Sequence, residues 1–555
     1  DFVIVYNGEV YNFRELKKEL QKKGYFFNTS SDTEVILNGF IEYGTNLFNM
    51  LNGMFSLAIY DYNKETLFLA RDRFGIKPLY FYNDKEFFLF ASEKKAILKK
   101  PNINKNLNYQ AISEYFWFGN PLGNNTFYEN INEISAGSYA IVSKKSFSIQ
   151  KYFDINNIKK NNTSEEEAIK KIRNLLEKSI KSQLVSDVPV GIFLSGGIDS
   201  SAITAFASKH YSGKLKTYSV GFDYDKGVNE LPLAREIAEK FETDHHEINI
   251  KGDDIINVIE ELVKSHDEPF ADAANIPLFL LTRKLKGEVK VVLQGDGGDE
   301  FFGGYSRYNT LHHNKKWSLF SFMLPILSIF RFNSPKVFRF QRFIYAISQK
   351  KNYLRNALLL TIDSKFTKPF SILTKSTQKK LSIYDPFKRY KEVYSFYKKN
   401  NDMVQSLFFT DAQIILKDTF FEKVDKSVMA NSIEVRVPFI DNDLTEYMLS
   451  INSKLKTKNS DPKYLLKKAL NGIVPDKILY GKKKGFGVPY GFWLKTELES
   501  YFMDQISSER VKKFIDVYEV KKLYNLHKKD KGYYGFLLWK ILIFSVWINL
   551  NEIND

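Results

Sequence analysis

The sequence runs to 555 residues, 44% hydrophobic and 15% aromatic, which is enough for more than one buried core and excludes a disordered chain. A formal net charge of +16 comes from thinly spread lysines rather than from a basic helix interleaved with exposed aromatics, so no nucleic-acid partner is expected. There is no cysteine, which excludes disulfides and thiolate metal sites, and with no signal peptide a cytoplasmic location is expected.

The chain opens on Asp1-Phe2-Val3-Ile4-Val5-Tyr6, a strand already under way with no initiator Met, and this predicts a missing N-terminal segment. Short apolar runs at Val3–Tyr6, Ser56–Tyr60, Thr66–Ala70, Leu79–Tyr82 and Phe87–Ala91 predict strands, with Asn83-Asp84-Lys85 as a hairpin turn between the last two. Asn12 is placed to cap a first helix, with Glu15 three residues on, Phe13, Leu16 and Leu20 recurring on one face, and Gly24 past its end. A second helix follows Ser31-Asp32 and turns Val35, Ile36 and Phe40 inward. Residues 1–155 read as one β-rich domain with a few helices.

Polar, Asn- and Lys-rich residues Asn156–Ser164 predict a linker to a second domain over 165–550. There the pattern becomes strand Val188–Leu194, loop Ser195–Asp199, helix Ser200–Ser208, strand Thr217–Phe222, helix Glu230–Phe241, strand His245–Ile250, further helices and strand Val289–Leu293. Continuous apolar strands alternating with helices predict an α/β fold, a doubly wound parallel sheet covered on both faces, with ligands at the carboxyl ends of its strands. Residues 305–400 read as helical, aromatic and Lys-rich, without a legible motif. Trp317–Phe330 is short and broken by Pro325, and Tyr533–Leu550 contains Gly535, Lys540 and Asn549. Both are expected to be buried helices rather than membrane spans, so no membrane partner is expected.

Two glycine-rich strings carry the chemistry. Leu194-Ser195-Gly196-Gly197-Ile198-Asp199-Ser200-Ser201 lies between a buried strand and a helix, where backbone amides, the helix N-terminus and three hydroxyls converge on an anion. Asp199 among phosphates requires an intervening cation and so points to Mg²⁺. No Lys precedes the Ser pair, so this is not a Walker loop. Gln294-Gly295-Asp296-Gly297-Gly298-Asp299-Glu300, followed by Gly303-Gly304-Tyr305, directly follows a strand. Carboxylates this close repel unless a cation balances them. Asp199 and Asp299 together are candidates to hold Mg²⁺ on a pyrophosphate, and Asp296 to accept a proton from an attacking amine.

Together these strings resemble the synthetase domain of glutamine-dependent asparagine synthetases, within the ATP-pyrophosphatase superfamily. Further stretches match in order: Ser219–Phe222, Asp267–Asp272, Lys423–Lys426, Glu434–Phe439, Lys463–Ala469, Lys484–Pro489 and the Leu538-Trp539 helix. The resemblance implies that ATP's adenine lies near Leu194, Val220 and Gly295. Ser195, Gly197, Asp199 and Ser200 would hold pyrophosphate, and Lys463 would neutralise leaving-group charge. Aspartate would be adenylated on its side-chain carboxylate, then attacked by ammonia. Many members of the family carry Glu at the position of Asp296, and Gln294 stands where a small residue is usual.

Residues 1–100 resemble the same family's glutaminase domain, an N-terminal-nucleophile amidohydrolase of αββα type, through Asn7-Gly8-Glu9-Val10-Tyr11-Asn12, Ser31-Asp32-Thr33-Glu34 and Ala70–Leu79. The resemblance implies that Asn7 and the Gly8 amide form an oxyanion site and that Glu9 and Asp32 bind the glutamine α-amino group. The family's nucleophile is an N-terminal Cys, absent here, so the expectation is synthesis from ammonia in this chain and from glutamine in a full-length protein. Competing readings are a β-lactam-type synthetase, which uses a Tyr-Glu pair for proton removal, an amidotransferase acting on another acid, and a non-catalytic nucleotide-binding scaffold. A homodimer is kept as the candidate assembly.

Overall fold

The structure, a computed structural model, describes residues 1–84, 86–222, 230–250, 255–329, 335–397, 402–481 and 487–553. Lys85 of the expected hairpin turn and Lys484-Gly485-Phe486 of a matching string lie outside the described residues.

The described residues up to 151 supply eight strands: β1 (Phe2–Val10), β2 (Gly53–Asp61), β3 (Thr66–Arg71), β4 (Tyr80–Asn83), β5 (Phe88–Ala91), β6 (Ile131–Glu133), β7 (Ser138–Val142) and β8 (Phe147–Lys151). They form two antiparallel sheets, ordered β1-β2-β3-β7-β8 and β5-β4-β6. Helices Phe13–Lys22 and Asp32–Tyr43 cover one face of the larger sheet, burying Leu16, Leu20, Val35, Ile36 and Phe40. Strand β1 extends well past Tyr6, so the string Asn7–Val10 lies within the sheet, paired with Gly53–Ser56. Asn12 does not cap the first helix as expected. Its amide donates to the Met50 carbonyl and accepts from the Asn52 amide instead, at 2.9 Å each, because the strand's return loop offers those groups first.

The second half is built on β9 (Val190–Phe193), β10 (Lys216–Phe222), β11 (Asp244–Ile250), β12 (Val291–Leu293) and β13 (Glu434–Arg436), in the order β11-β10-β9-β12-β13, with all pairs parallel. The α/β class and the parallel sheet therefore stand as expected, and β13 adds an edge strand. The expected linker is pinned to this half, with Asn161 N–H donating to Ser450 O at 2.9 Å.

The two halves share buried charge. Lys94, fully enclosed, lies 3.1 Å from Glu268 and 3.6 Å from Glu422; Lys77 lies 3.1 Å from Asp425, and Lys417 2.7 Å from Glu133. Helix Gly535–Leu550 is buried as expected, and Tyr115 O–H donates to its Lys540 carbonyl at 2.7 Å. The expectation for Trp317–Phe330 fails: Trp317, Leu319, Phe320, Phe322 and Ile326 are exposed, because Met323 and Leu324 supply the side that packs inward. Among the described residues no helix is long and apolar enough to cross a membrane.

Candidate active site

The carboxyl ends of β9, β10 and β12 converge, as a doubly wound sheet requires at its ligand edge. Beyond β9 the chain turns through Ser195–Gly197 into helix Ile198–His210. Gly196 makes this turn at φ +71°, where a Cβ would lie 2.7 Å from the Ala234 nitrogen, so only glycine fits. Hydroxyls organise the loop from within: Ser200 Oγ is 3.1 Å from Ser195 Oγ and accepts from Ser195 N–H at 3.2 Å, while Gly197 N–H donates to Ser195 Oγ at 3.3 Å. Leu194 N–H donates to the Tyr218 carbonyl at 2.8 Å, and the Leu194 carbonyl accepts from Ser219 Oγ, which ties the loop to β10, where Val220 stands half-buried.

The second string wraps the first. A Cβ on Gly295 would fall 2.8 Å from Asp199 Cβ, and one on Gly298 would fall 2.3 Å from Asp199 Oδ1. A Cβ on Gly304 would meet Asp299 Oδ1 at 1.8 Å and Lys463 Cε at 2.6 Å. The missing side chains are what let the two carboxylates and one ammonium crowd together. Lys463 Nζ donates to Asp199 and lies 2.7 Å from Asp299 Oδ1. Lys463 is 5% exposed and sits at φ +58°, an uncommon conformation for a non-glycine residue and one that concentrates at functional positions. Burial opposes its charge, but Asp199 and Asp299 outweigh it and hold the ammonium protonated.

Two carboxylates form the hard-oxygen pair that Mg²⁺ accepts when water and phosphate oxygens complete its shell. Among the described residues no group of three or more His, Cys, Asp or Glu is placed to hold a metal ion. Asp296 is raised to about 6, by burial first, against Lys423, with Asp199, Asp299 and Asp272 adding repulsion. Gln294, the departure from a small residue, donates its amide to Asp296 Oδ2 at 2.8 Å and so orients that carboxylate. Lys423, which pairs with Asp272 at 3.1 Å, was visible in the sequence only as part of a matching string.

A Tyr-Glu contact is present: Tyr305 O–H donates to Glu300. Glu300 is 1% exposed and pushed up to about 8, chiefly by burial and then by Asp299, so the Tyr305 hydroxyl meets a buried carboxyl.

The expected amidotransferase residues gather separately. Asn7 Nδ2 donates to Ser92 Oγ at 3.2 Å. Gly8 passes so close to β2 that a Cβ would lie 2.1 Å from the Met54 carbonyl. Asp32 Oδ2 accepts from Tyr6 O–H at 2.8 Å and Val10 N–H at 3.1 Å. Glu9 turns instead toward the other half and pairs with Arg436 at 3.1 Å; burial nonetheless raises it to about 7. Within the Ala70–Leu79 string, Asp72 gathers the N–H groups of Phe55, Phe74, Ile76 and Lys77, and Arg71 donates to three carbonyls, so that string is a scaffold.

The asparagine synthase family model matches residues 171–549, and the glutamine amidotransferase domain model matches residues 1–153. The latter match gives no support to the expectation of a missing first segment. Asparagine synthetase (glutamine-hydrolyzing) 1 of Bacillus subtilis is 34% identical over 556 residues, covering 99% of this chain and 85% of that protein. Asparagine synthetase (glutamine-hydrolyzing) 3 of the same organism is 31% identical, covering 89% and 78%. A putative asparagine synthetase (glutamine-hydrolyzing) of Mycobacterium bovis is 31% identical, covering 98% and 84%. These matches establish that the chain belongs to the asparagine synthase family and carries a glutamine amidotransferase domain ahead of the synthase domain.

Proposed function

We propose that this chain is a cytoplasmic ligase that amidates aspartate to asparagine using ATP, through a β-aspartyl adenylate. The observation that carries the reading is Lys463, buried between Asp199 and Asp299 at the mouth of the Ser195–Ser201 loop. Family membership supplies the substrates.

In this reading the aspartate side-chain carboxylate attacks the α-phosphorus; a phosphorus–oxygen bond forms and the bond to pyrophosphate breaks. Loop amides and the hydroxyls of Ser195, Ser200 and Ser201 hold the departing pyrophosphate, with Gly196 and Gly197 letting the backbone approach it. The Lys463 ammonium offsets the charge that develops there, and it is already desolvated and in place. Leu194, Val220 and Gly295 flank the adenine. Asp199 and Asp299 would hold Mg²⁺, which supplies charge neutralisation on the phosphates. Ammonia then attacks the acyl carbon, AMP leaves, and Asp296 takes the proton, its raised value lying close to working pH.

With no cysteine, this polypeptide has no thiol to attack glutamine, and its nitrogen source is ammonia. Where a thiol nucleophile is supplied, Asn7 and the Gly8 amide would stabilise the oxyanion, and Glu9 and Asp32 would bind the glutamine α-amino group. Glu9 would then divide its carboxylate between substrate and Arg436.

Pyrophosphate release from ATP and Mg²⁺ tests the reading. Release that requires aspartate, with asparagine formed when ammonium chloride is added, is the expected result. A folded chain that releases pyrophosphate with a different acid, or with none, overturns it.

A further inference from the structure

The helical excursion after the second glycine-rich string exposes the wrong side of itself. Residues Asn314–Ser318, Leu319–Met323 and Leu324–Ile329 form three short helical pieces that lie against helix Pro335–Ile347. Met323, Leu324 and Phe343 pack on buried Ile344 and Ile347. Leu319, Phe322 and Ile326 recur at the i, i+3, i+7 spacing of one helical stripe, yet they are 74%, 70% and 54% exposed. Trp317, Phe320 and Phe340 are exposed beside them. A soluble helix spends such a stripe on its core; here the stripe faces out.

Along the sequence that carries the stripe, the charge has one sign. Between Glu300 and Asp363 the sequence contains ten Lys or Arg and no Asp or Glu, with Arg307, paired with Asp411, and Arg355 turned inward. Lys316, Lys336, Arg339 and Lys350 are exposed on the same excursion. We infer that this face docks in the plane of an anionic lipid surface, with Leu319, Phe322 and Ile326 entering the acyl boundary and the basic residues meeting the headgroups. In-plane helices bind in this way, through an apolar stripe, interfacial Trp and Phe, and flanking cations, without spanning. A second copy of the chain fits the face less well, since a two-fold contact would set these cations against themselves. Aliphatic Leu319 and Ile326 suit hydrocarbon better than they suit nucleobases.

Flotation of the whole chain with phosphatidylcholine vesicles, with and without phosphatidylglycerol, tests this. The chain is expected to float with the anionic vesicles only, and to be released by high salt. The triple variant Leu319→Gln, Phe322→Gln, Ile326→Gln keeps the charge and is expected to lower the partition by at least roughly tenfold while melting like the parent. Lys336→Gln with Arg339→Gln is expected to weaken flotation without abolishing the apolar contribution. Tryptophan emission is expected to shift to the blue on anionic vesicles, and the shift to vanish in Trp317→Phe. Absence of flotation, or equal flotation of the triple variant, overturns the inference. So does a lipid-free dimer, or salt-sensitive RNA binding without flotation, that the triple variant abolishes.

Discussion

The Glu9 carboxylate of β1 lies 3.1 Å from the Arg436 guanidinium of β13, so the edge strands of two different sheets meet through one ion pair. Arg436 is 2% exposed and also donates to Glu434 and to the carbonyls of Gln183 and Val185. Arg436→Met leaves Glu9, Glu434 and both carbonyls without that donor, and is expected to cost on the order of 3–5 kcal/mol in urea unfolding. Arg436→Lys is expected to recover little, because a single ammonium cannot serve four acceptors. Near-wild-type stability of the Met variant would show that the sheets do not depend on this pair.

Lys463→Met removes the cation between Asp199 and Asp299. The expected loss in aspartate-dependent pyrophosphate release is on the order of 10²–10³, the scale for removing one preorganised donor to developing charge. Lys463→Arg is expected to fail too, since a planar guanidinium does not reproduce a compact ammonium seated between Asp199 and Asp299. The rate constant under saturating ATP and aspartate checks both.

Gly304→Ala tests the cradle separately from the charge. The added methyl would stand 1.8 Å from Asp299 Oδ1 and push that carboxylate away from Lys463. Thermal melting is expected to change modestly, while turnover falls sharply and the Mg²⁺ concentration needed for half-activity rises. Unchanged Mg²⁺ dependence would remove Asp299 from the metal-binding proposal.

Lys456 gives a pH dependence away from the glycine-rich loops. It is 1% exposed, donates to the Met448 carbonyl at 3.0 Å and rests 3.5 Å over the Phe408 ring. Burial lowers it to about 7, with Asp402 opposing weakly. Above pH 7 the folded chain leaves this amine neutral while the unfolded chain still protonates it, up to the ordinary value of 10.5. Its contribution to stability therefore rises with pH across that window. Lys456→Met is expected to stabilise the chain near pH 7, and the gain to shrink as pH climbs toward 10; denaturant midpoints at pH 7 and pH 9.5 measure it.

Periodicity and turn chemistry made most elements legible. Leu16 and Leu20 announced the first helix, and the small-residue string after Val190–Phe193 announced the turn into helix Ile198–His210. Strand β13 escaped because three residues, two of them charged, carry no alternation to detect. Trp317–Phe330 misled because apolar composition says how much surface is greasy and nothing about which way it faces. The crowding of Asp199, Asp299 and Lys463 could be inferred only through resemblance. Lys463 stands 264 residues from Asp199, and no local pattern reaches that far. The value of Asp296 needed three-dimensional neighbours: Lys423 and Asp272 come from separate parts of the fold.

Tyr115 and Lys540, joined by a hydrogen bond, stand 425 residues apart. A ribosome adding ~5–20 residues per second leaves Tyr115, Phe116 and Phe127 waiting tens of seconds for Phe544 and Trp547, the rings that cover them. The amidotransferase half therefore emerges first but finishes last. A nascent chain holds its greasy flank open while the intervening residues are made, a natural station for a chaperone, and a premature stop ahead of Gly535 would uncover the earlier-made half as surely as the later.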